Sequence, residues 1–269
     1  MLYLRDDFKQ AWQGKDVQAF LETMDGEVFR ELEARRTFRF EFNGKGYFAK
    51  VHMGVGWKEI LESILRLRRP VLGARDEWEA LTKLKSIGVE TMTTVGFGEA
   101  GFNPAKQRSF LITEELENMI TLEDFCETWK ENPPSVKLKW AIVQKLAEIS
   151  KVMHDNGMNH RDYYLCHFMM PKEGFPDNKP IQFYMIDLHR AMIHQNLPER
   201  WRLKDLSGLY FSAMDYGFTS RDILRFLKIY SGLPLREALS SYKTILSAIE
   251  HKAHKLYRRM ERKAGHPNY

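Results

Sequence analysis

Apolar and polar positions alternate through residues 27–52, EVFRELEARRTFRFEFNGKGYFAKVH. A period of two predicts strands with one buried face, carried here by Phe38, Phe40 and Phe42. Asn43-Gly44 interrupts the run with a pair that accepts the left-handed backbone of a tight hairpin, and residues 47–51 return. The segment is therefore expected to be an antiparallel meander ending on the strand Tyr47-Phe48-Ala49-Lys50-Val51. The period then lengthens. Trp57, Ile60, Leu61, Ile64 and Leu65 recur at helical spacing, predicting an amphipathic helix over 57–69 that closes on Arg66, Arg68 and Arg69 before Pro70. A second helix over 76–87 stops at Gly88, and residues 109–113 (SFLIT) form a buried strand running into Glu114 and Glu115.

Beyond that acidic turn the pattern is helical. Thr121 and Asp124 predict a capped helix start, with Pro133-Pro134 punctuating its end. Residues 136–156 are apolar on two faces, as a buried helix is, and end at Asn156-Gly157. A short strand over 181–186 leads into Asp187, and the chain is helical from about Arg202. The fold class expected is α+β with two lobes. A small antiparallel-sheet N-lobe covers 1–116, with an amphipathic insertion at 54–73, and a larger helical C-lobe covers 117–269. No internal repeat appears.

Composition narrows the functional classes. The chain of 269 residues is 43% hydrophobic and 13% aromatic, enough for a large core, which excludes a disordered or disulfide-stapled protein. Its two cysteines, Cys126 and Cys166, form no CxxC pair, which points to a reducing compartment and away from a zinc module. The opening MLYLRDDFKQAW has no apolar core of a signal peptide, and no apolar run nears 18 residues, so a cytoplasmic protein is expected. The net charge is +5, and residues 251–263 alone set six basic residues against Glu261. Such an end is either a solvated helix or a surface for an acidic partner: anionic lipid, an acidic protein or a phosphorylated substrate. Nucleic acid is not expected, because no stacking aromatics interleave these charges.

The chemistry concentrates in His160-Arg161-Asp162, five residues before His167 and 25 before Asp187. Upstream, Lys50 sits on a strand and acidic residues on the helix over 76–87. Lysine strand, glutamate helix, acidic hinge, HRD loop and strand-terminal aspartate, in that order, resemble the protein-kinase-like fold. Phosphoryl transfer needs positioning and charge neutralisation more than covalent chemistry. In that scheme Lys50 meets the ATP phosphates, and a helix carboxylate holds it. Glu77 shares its face with Leu81 and Leu84 and points inward, whereas Glu79 has Lys83 one turn on and points to solvent, so Glu77 is the choice. Asp162 orients the acceptor hydroxyl, Asp187 binds Mg²⁺, and the backbone around Glu114, Glu115 and Leu116 meets the adenine.

Three features depart from that pattern. His167 stands where a second metal-binding Asn is usual, which puts a second metal in doubt. No glycine lies between Val28 and Thr37, so phosphate cover falls to Arg35, Arg36 or the backbone of that turn. Asp187-Leu188-His189 replaces Asp-Phe-Gly with no activation segment after it, as suits a small-molecule kinase. The spacing of His154, His160, Cys166, His167 and His189 matches no metal-ligand set.

The stretches GVETMTTVGFGEAGFNPAKQRSFLITEEL, NHRDYYLCHF, IDLHRA and RWRLKDLSGLYFSAM are similar to those of the lipopolysaccharide core heptose kinases, which group with the Kdo kinases. The resemblance spans about 27–260. It implies a kinase-like fold, ATP with Mg²⁺, and phosphorylation of a heptose of the inner core, the first in the nearest match. Asp162 then takes the catalytic role, Lys50 the phosphate role and Asp187 the metal role. His160, Arg161 and Asp205 support the catalytic loop, and His167 becomes the family's own residue at the Asn position. The acceptor implied is a lipid-linked core oligosaccharide, so the protein would work at the cytoplasmic face of the inner membrane. Residues 57–69 and 251–263 could then touch anionic membrane or an acidic protein, although packing of the 57–69 stripe on its own lobe is the reading preferred. The rival is a catalytically weak kinase-fold scaffold for an acidic partner.

Overall fold

The computed structural model describes residues 1–66, 70–175 and 180–264. The chain forms two compact units. The first comprises Met1–Lys85, Thr91–Glu117 and Leu188–Arg190; the second comprises Ser86–Glu90, Asn118–Asp187 and everything from Ala191. Neither is a single run of sequence.

In the first unit the order is β1 (Leu2–Leu4), α1 (Asp6–Ala11), α2 (Val17–Thr23), β2 (Glu27–Leu32), β3 (Arg35–Phe42), β4 (Lys45–His52), α3 (Gly56–Leu65), α4 (Arg75–Ser86), β5 (Thr94–Ala100) and β6 (Arg108–Glu114). The strands make one antiparallel sheet in the order β1-β5-β6-β4-β3-β2. Asn43 (φ 50°) and Gly44 (φ 72°) close the β3–β4 hairpin, both left-handed as a two-residue turn requires. The parity of this hairpin decides what each residue does. Phe38, Phe40, Tyr47, Ala49 and Val51 fall on one face and pack into a core with Phe8, Trp12, Val17 and Leu21. Those last four come from α1, its C-cap Trp12 and α2, a layer that the alternation of 27–52 does not reveal. Lys50 and His52 fall on the opposite face, opposite Thr37 and Arg35 in the register.

The two amphipathic helices of this unit behave differently. α4 buries Glu77, Ala80, Leu81 and Leu84, and its Trp78 stacks on Phe97 at 4.4 Å. α3 buries only Ile60. The expected packing of its stripe on the lobe does not occur: Trp57, Leu61, Ile64 and Leu65 are exposed. The helix ends at Leu65, and residues 67–69, expected to extend it, lie outside the described residues.

The second unit contains β7 (Met119–Thr121), α5 (Leu122–Cys126), α6 (Val136–Asp155), β8 (Met158–Asn159), a 3₁₀ turn (Leu165–His167), β9 (Phe168–Pro171), β10 (Tyr184–Met185), β11 (Met192–Ile193), α7 (Glu199–Ala213), α8 (Ser220–Ser231), α9 (Leu235–Ser241) and α10 (Lys243–Ala264). Thr121 caps α5 by accepting the Asp124 N–H, but that helix ends at Cys126 and turns occupy the stretch to Pro133. The strand expected over 181–186 shrinks to two residues, because only Tyr184 and Met185 pair with β9. Small sheets β10-β9-β7 and β11-β8 flank the segment that carries His160 to His167.

Candidate active site

In the first unit, Lys50 Nζ lies 2.5 Å from Glu77 Oε1. The Glu77 side chain is 3% exposed, so this buried carboxylate has a cation as its counterweight. Glu79 instead lies 3.6 Å from Arg75, one turn back, in an exposed pair. Around Lys50 the sheet face is rich in unsatisfied donors. Arg35 Nε and Thr37 Oγ1 are both buried without a hydrogen-bond partner among the described residues. Beside them the His52 imidazole is pushed down to about 4, first by burial, then by the charge of Arg35, with Glu77 opposing. Cations and orphaned donors on one face form a place for a polyanion.

Arg36 has the opposite parity and a different duty. It donates to Met24 O at 2.9 Å and lies over the Phe38 ring at 4.4 Å. Of the two arginines offered by the sequence, only Arg35 shares the face of Lys50.

The acidic turn also sorts into side chain and main chain. Glu114 pairs with Arg5, and Glu115 Oε2 accepts from Arg39 Nε at 2.8 Å. Their amide groups donate to Thr93 O and Gly46 O at 2.8 and 3.0 Å. Neither carboxylate is available to an adenine, so the main chain near half-buried Leu116 is what this turn offers.

In the second unit the loop after β8 is held through its backbone. Asp205, fully buried on α7, accepts the His160 N–H at 2.6 Å and the Arg161 N–H at 2.8 Å. Ser212 Oγ, two turns on, accepts the Leu165 N–H at 2.9 Å. Between them Gly208 lets α7 approach, for a Cβ there would lie 2.9 Å from the Tyr163 carbonyl oxygen. Neither Ser212 nor Gly208 is singled out by the sequence reading, although a glycine inside a helical run is itself a signal of close approach. Arg161 carries the strain of this loop at φ 74°.

His160 and His167 stack at 5.5 Å and tie the loop to the segment before Asp187. His160 Nε2 donates to Ile186 O at 2.9 Å, and burial keeps that ring neutral by lowering its pKa. The Ile186 N–H donates to His167 O at 3.1 Å. His167 Nδ1 donates to Asp162 O at 2.6 Å. A ring that donates from Nδ1 presents a lone pair at Nε2 in its neutral form, and this atom lies 3.4 Å from Asp187 Oδ2. These two atoms could help to hold a divalent cation; with the ring protonated they form an ion pair instead. No group of three or more His, Cys, Asp or Glu that could hold a metal exists among the described residues. A carboxylate with one further ligand fits Mg²⁺ that takes the rest of its shell from phosphates and water. Asp187 is 39% exposed at φ 60°, so its carboxylate can reach a ligand. The neighbouring Cys166 thiol is pushed up to about 12, chiefly by burial, and is no nucleophile.

The sequence model of the lipopolysaccharide kinase (Kdo/WaaP) family matches residues 17–230. The chain belongs to this family. Its full length is similar to other members. It is 48% identical over 265 residues to the lipopolysaccharide core heptose(I) kinase WaaP of Escherichia coli strain K12, covering 98% of this chain and 99% of that protein. It is likewise 48% identical over 261 residues to the Pseudomonas aeruginosa protein of the same name, covering 97% of each. A solved structure described as WaaP in complex with acyl carrier protein matches with a TM-score of 0.82 at 44% identity, over 96% of this chain and 99% of that one. The α+β kinase-like fold expected from the sequence is therefore the fold of this Kdo/WaaP kinase.

Proposed function

We propose that this chain is an ATP-dependent sugar kinase that transfers the γ-phosphoryl group to a hydroxyl of the first heptose of the lipopolysaccharide inner core. The observation that carries this reading is the full-length identity of 48% to two heptose(I) kinases. The geometry supplies residues for the roles. Asp162, on a loop fixed by Asp205 and Ser212, accepts a hydrogen bond from the sugar hydroxyl and aims its oxygen at the γ-phosphorus. The oxygen–phosphorus bond forms as the hydroxyl proton passes to Asp162, the bond from the γ-phosphorus to the β–γ bridging oxygen breaks, and ADP departs with that electron pair. Lys50, held by Glu77, balances the charge of the phosphates, with Arg35 and Thr37 in place of a glycine-rich loop. Asp187, with His167 Nε2 beside it, would hold Mg²⁺, which neutralises charge between the phosphates. The main chain near Leu116 would receive the adenine.

The test is incubation with Mg-ATP and heptosylated, unphosphorylated core, read by mass. A gain of one phosphate is expected, and Asp162→Asn, with folding and ATP binding intact, loses about a thousandfold in turnover. A wild type that transfers nothing to a verified acceptor would overturn the reading.

An acidic partner is compatible with this activity, because the structural neighbour is itself described with acyl carrier protein. We assign such a partner here to α10. A groove along α7 and α10 is lined by Lys243, Lys252, Lys255, Arg259 and Arg262, and burial lowers the Lys252 pKa. The same two helices, with α6 and α8, enclose an apolar cavity of about 470 Å³ lined by Leu146, Leu206, Ile223, Phe226 and Ile249. A carrier protein of acidic surface bearing an apolar chain complements both. Lys255→Glu with Arg259→Glu should abolish co-elution with purified acyl carrier protein and leave the fold unchanged.

A further inference from the structure

The exposed stripe of α3 has no role in the chemistry above. At about 100° per residue, Ile64, Trp57, Leu61 and Leu65 fall within one arc of roughly 100°. All four are exposed, Leu65 by 82%, and Ile60 at the edge of the arc is the residue that anchors the helix. Four large apolar side chains side by side in water are a costly arrangement, and such a surface marks a contact. The start of the helix is fixed by the Gly56 N–H, which donates to Ala105 O at 2.9 Å. Ala105 belongs to the β5–β6 loop, whose Phe102 is fully exposed. Two apolar elements, one helical and one a loop, are thus pinned together and both left bare.

The charges beside this surface name its occupant. Lys58 borders the arc beside Leu65, Arg66 lies on the other side of the helix, and exposed Lys106 follows Ala105 in the loop. Against them on the helix stand Glu59 and Glu62, and Glu62 is paired with Arg66 at 3.7 Å. An exposed apolar arc that includes a tryptophan and is flanked by basic residues fits a fluid anionic bilayer. At ten residues α3 spans about 15 Å, half the thickness of the hydrocarbon core, so it lies along an interface and does not cross it. No helix among the described residues is long and apolar enough to cross a membrane.

We propose that α3, with Phe102, seats the first unit on the surface of an anionic phospholipid membrane. The inference rests on the reading above that the acceptor is lipid-linked, and it gives that reading a place of action. Neither Trp57 nor its neighbours belong to the nucleotide or acceptor machinery.

The test is flotation of the full chain with vesicles of phosphatidylethanolamine and phosphatidylglycerol, beside vesicles of phosphatidylcholine. Wild type should float with the anionic vesicles and far less with the neutral ones. Trp57→Gln with Leu61→Gln and Leu65→Gln should weaken partitioning about tenfold or more, while phosphorylation of deacylated, soluble core oligosaccharide stays at the wild-type rate. Lys58→Gln with Arg66→Gln should weaken it by about fivefold for each charge near the surface, and added salt should mimic that loss. Unchanged flotation of the apolar variant would overturn the proposal. So would a wild type that ignores anionic vesicles, or one whose stripe proves to mediate self-association or to bind an acidic protein instead. The two readings fail separately. A chain that floats through α3 and phosphorylates no heptose loses only its activity, and one that phosphorylates soluble core but floats without α3 loses only the membrane seat.

Discussion

The two units fix their functional charges by different means. In the first, Lys50 is placed by a single side chain, Glu77, and the donors around it are left without partners. In the second, Asp162 is placed by a loop whose own amides are fastened to Asp205 and Ser212. A side-chain pair can loosen by degrees, because Lys50 has a flexible stem and a bound polyanion would compete for it. A main-chain clamp sets the direction of every side chain on the loop at once. Damage to the first should therefore appear mainly in nucleotide affinity, and damage to the second in turnover and stability together.

The sharpest way to break this contrast is Asp205→Asn. One carboxylate oxygen becomes an NH₂ facing an amide N–H, so a charged bond is lost and a buried donor is stranded. The cost is about 3 kcal/mol, or roughly 6–12 °C in Tm, with a loss of more than a hundredfold in turnover. Gly208→Ala should act in the same direction more weakly, because its Cβ would press on the Tyr163 carbonyl. Full turnover in an Asp205→Asn protein of lowered Tm would show that the clamp is structural alone.

Next in size is the side-chain pair. Glu77→Gln should raise the KM for ATP about tenfold, and Lys50→Met somewhat more. The double variant should be no worse than Lys50→Met, since each removes the same interaction. Additive losses, measured in a double-mutant cycle, would separate Glu77 from Lys50 and leave the latter placed by something else.

How far these features are legible in the sequence follows the range of the interaction. The hairpin at Asn43-Gly44 and the inward turn of Glu77 are written in local spacing, and both occur. Periodicity establishes that α3 and α4 are amphipathic in the same way. It does not say that one stripe meets the sheet while the other meets water, because that depends on what α1, α2 and the β5–β6 loop leave uncovered. Strand length fails for a similar reason: residues 181–186 are apolar enough to pair, but β9 meets only two of them. The catalytic loop is visible as a motif, and its clamp is half visible. Asp205 follows from a family resemblance, whereas Ser212 and Gly208 act through contacts some 45 residues away in sequence.

A smaller effect tests the parity of β3. Arg35→Gln should raise the KM for ATP by about threefold to tenfold at unchanged Tm, since Arg35 shares the face of Lys50 and its Nε has no hydrogen-bond partner among the described residues. Arg36→Gln should leave KM alone and lower Tm by roughly 2–4 °C, because its bond to Met24 O and its place over Phe38 hold α2 to the sheet. Exchange of these outcomes would mean that the register of the hairpin assigns the wrong arginine to the phosphates.

The smallest effect concerns what crowding cations on one face does to His52. Buried to 5% exposure beside Arg35 and Lys50, its imidazole falls from 6.5 to about 4 in the folded chain. Between those values the unfolded chain takes up a proton that the folded chain refuses, so stability is complete above 6.5 and declines as the pH falls towards 4. Buried His160 shifts in the same direction and adds to the slope. One such histidine contributes at most about 1.4 kcal/mol per pH unit. His52→Gln should therefore flatten Tm against pH between 6.5 and 5, a range chosen above the titration of most carboxylates. ATP should raise the wild-type curve and flatten it, since phosphates over Lys50 and Arg35 would offset the cations that, after burial, keep His52 neutral. An unchanged slope in His52→Gln would leave His160 as its source, and would mean that His52 does not carry the shift that its burial and the neighbouring cations give it.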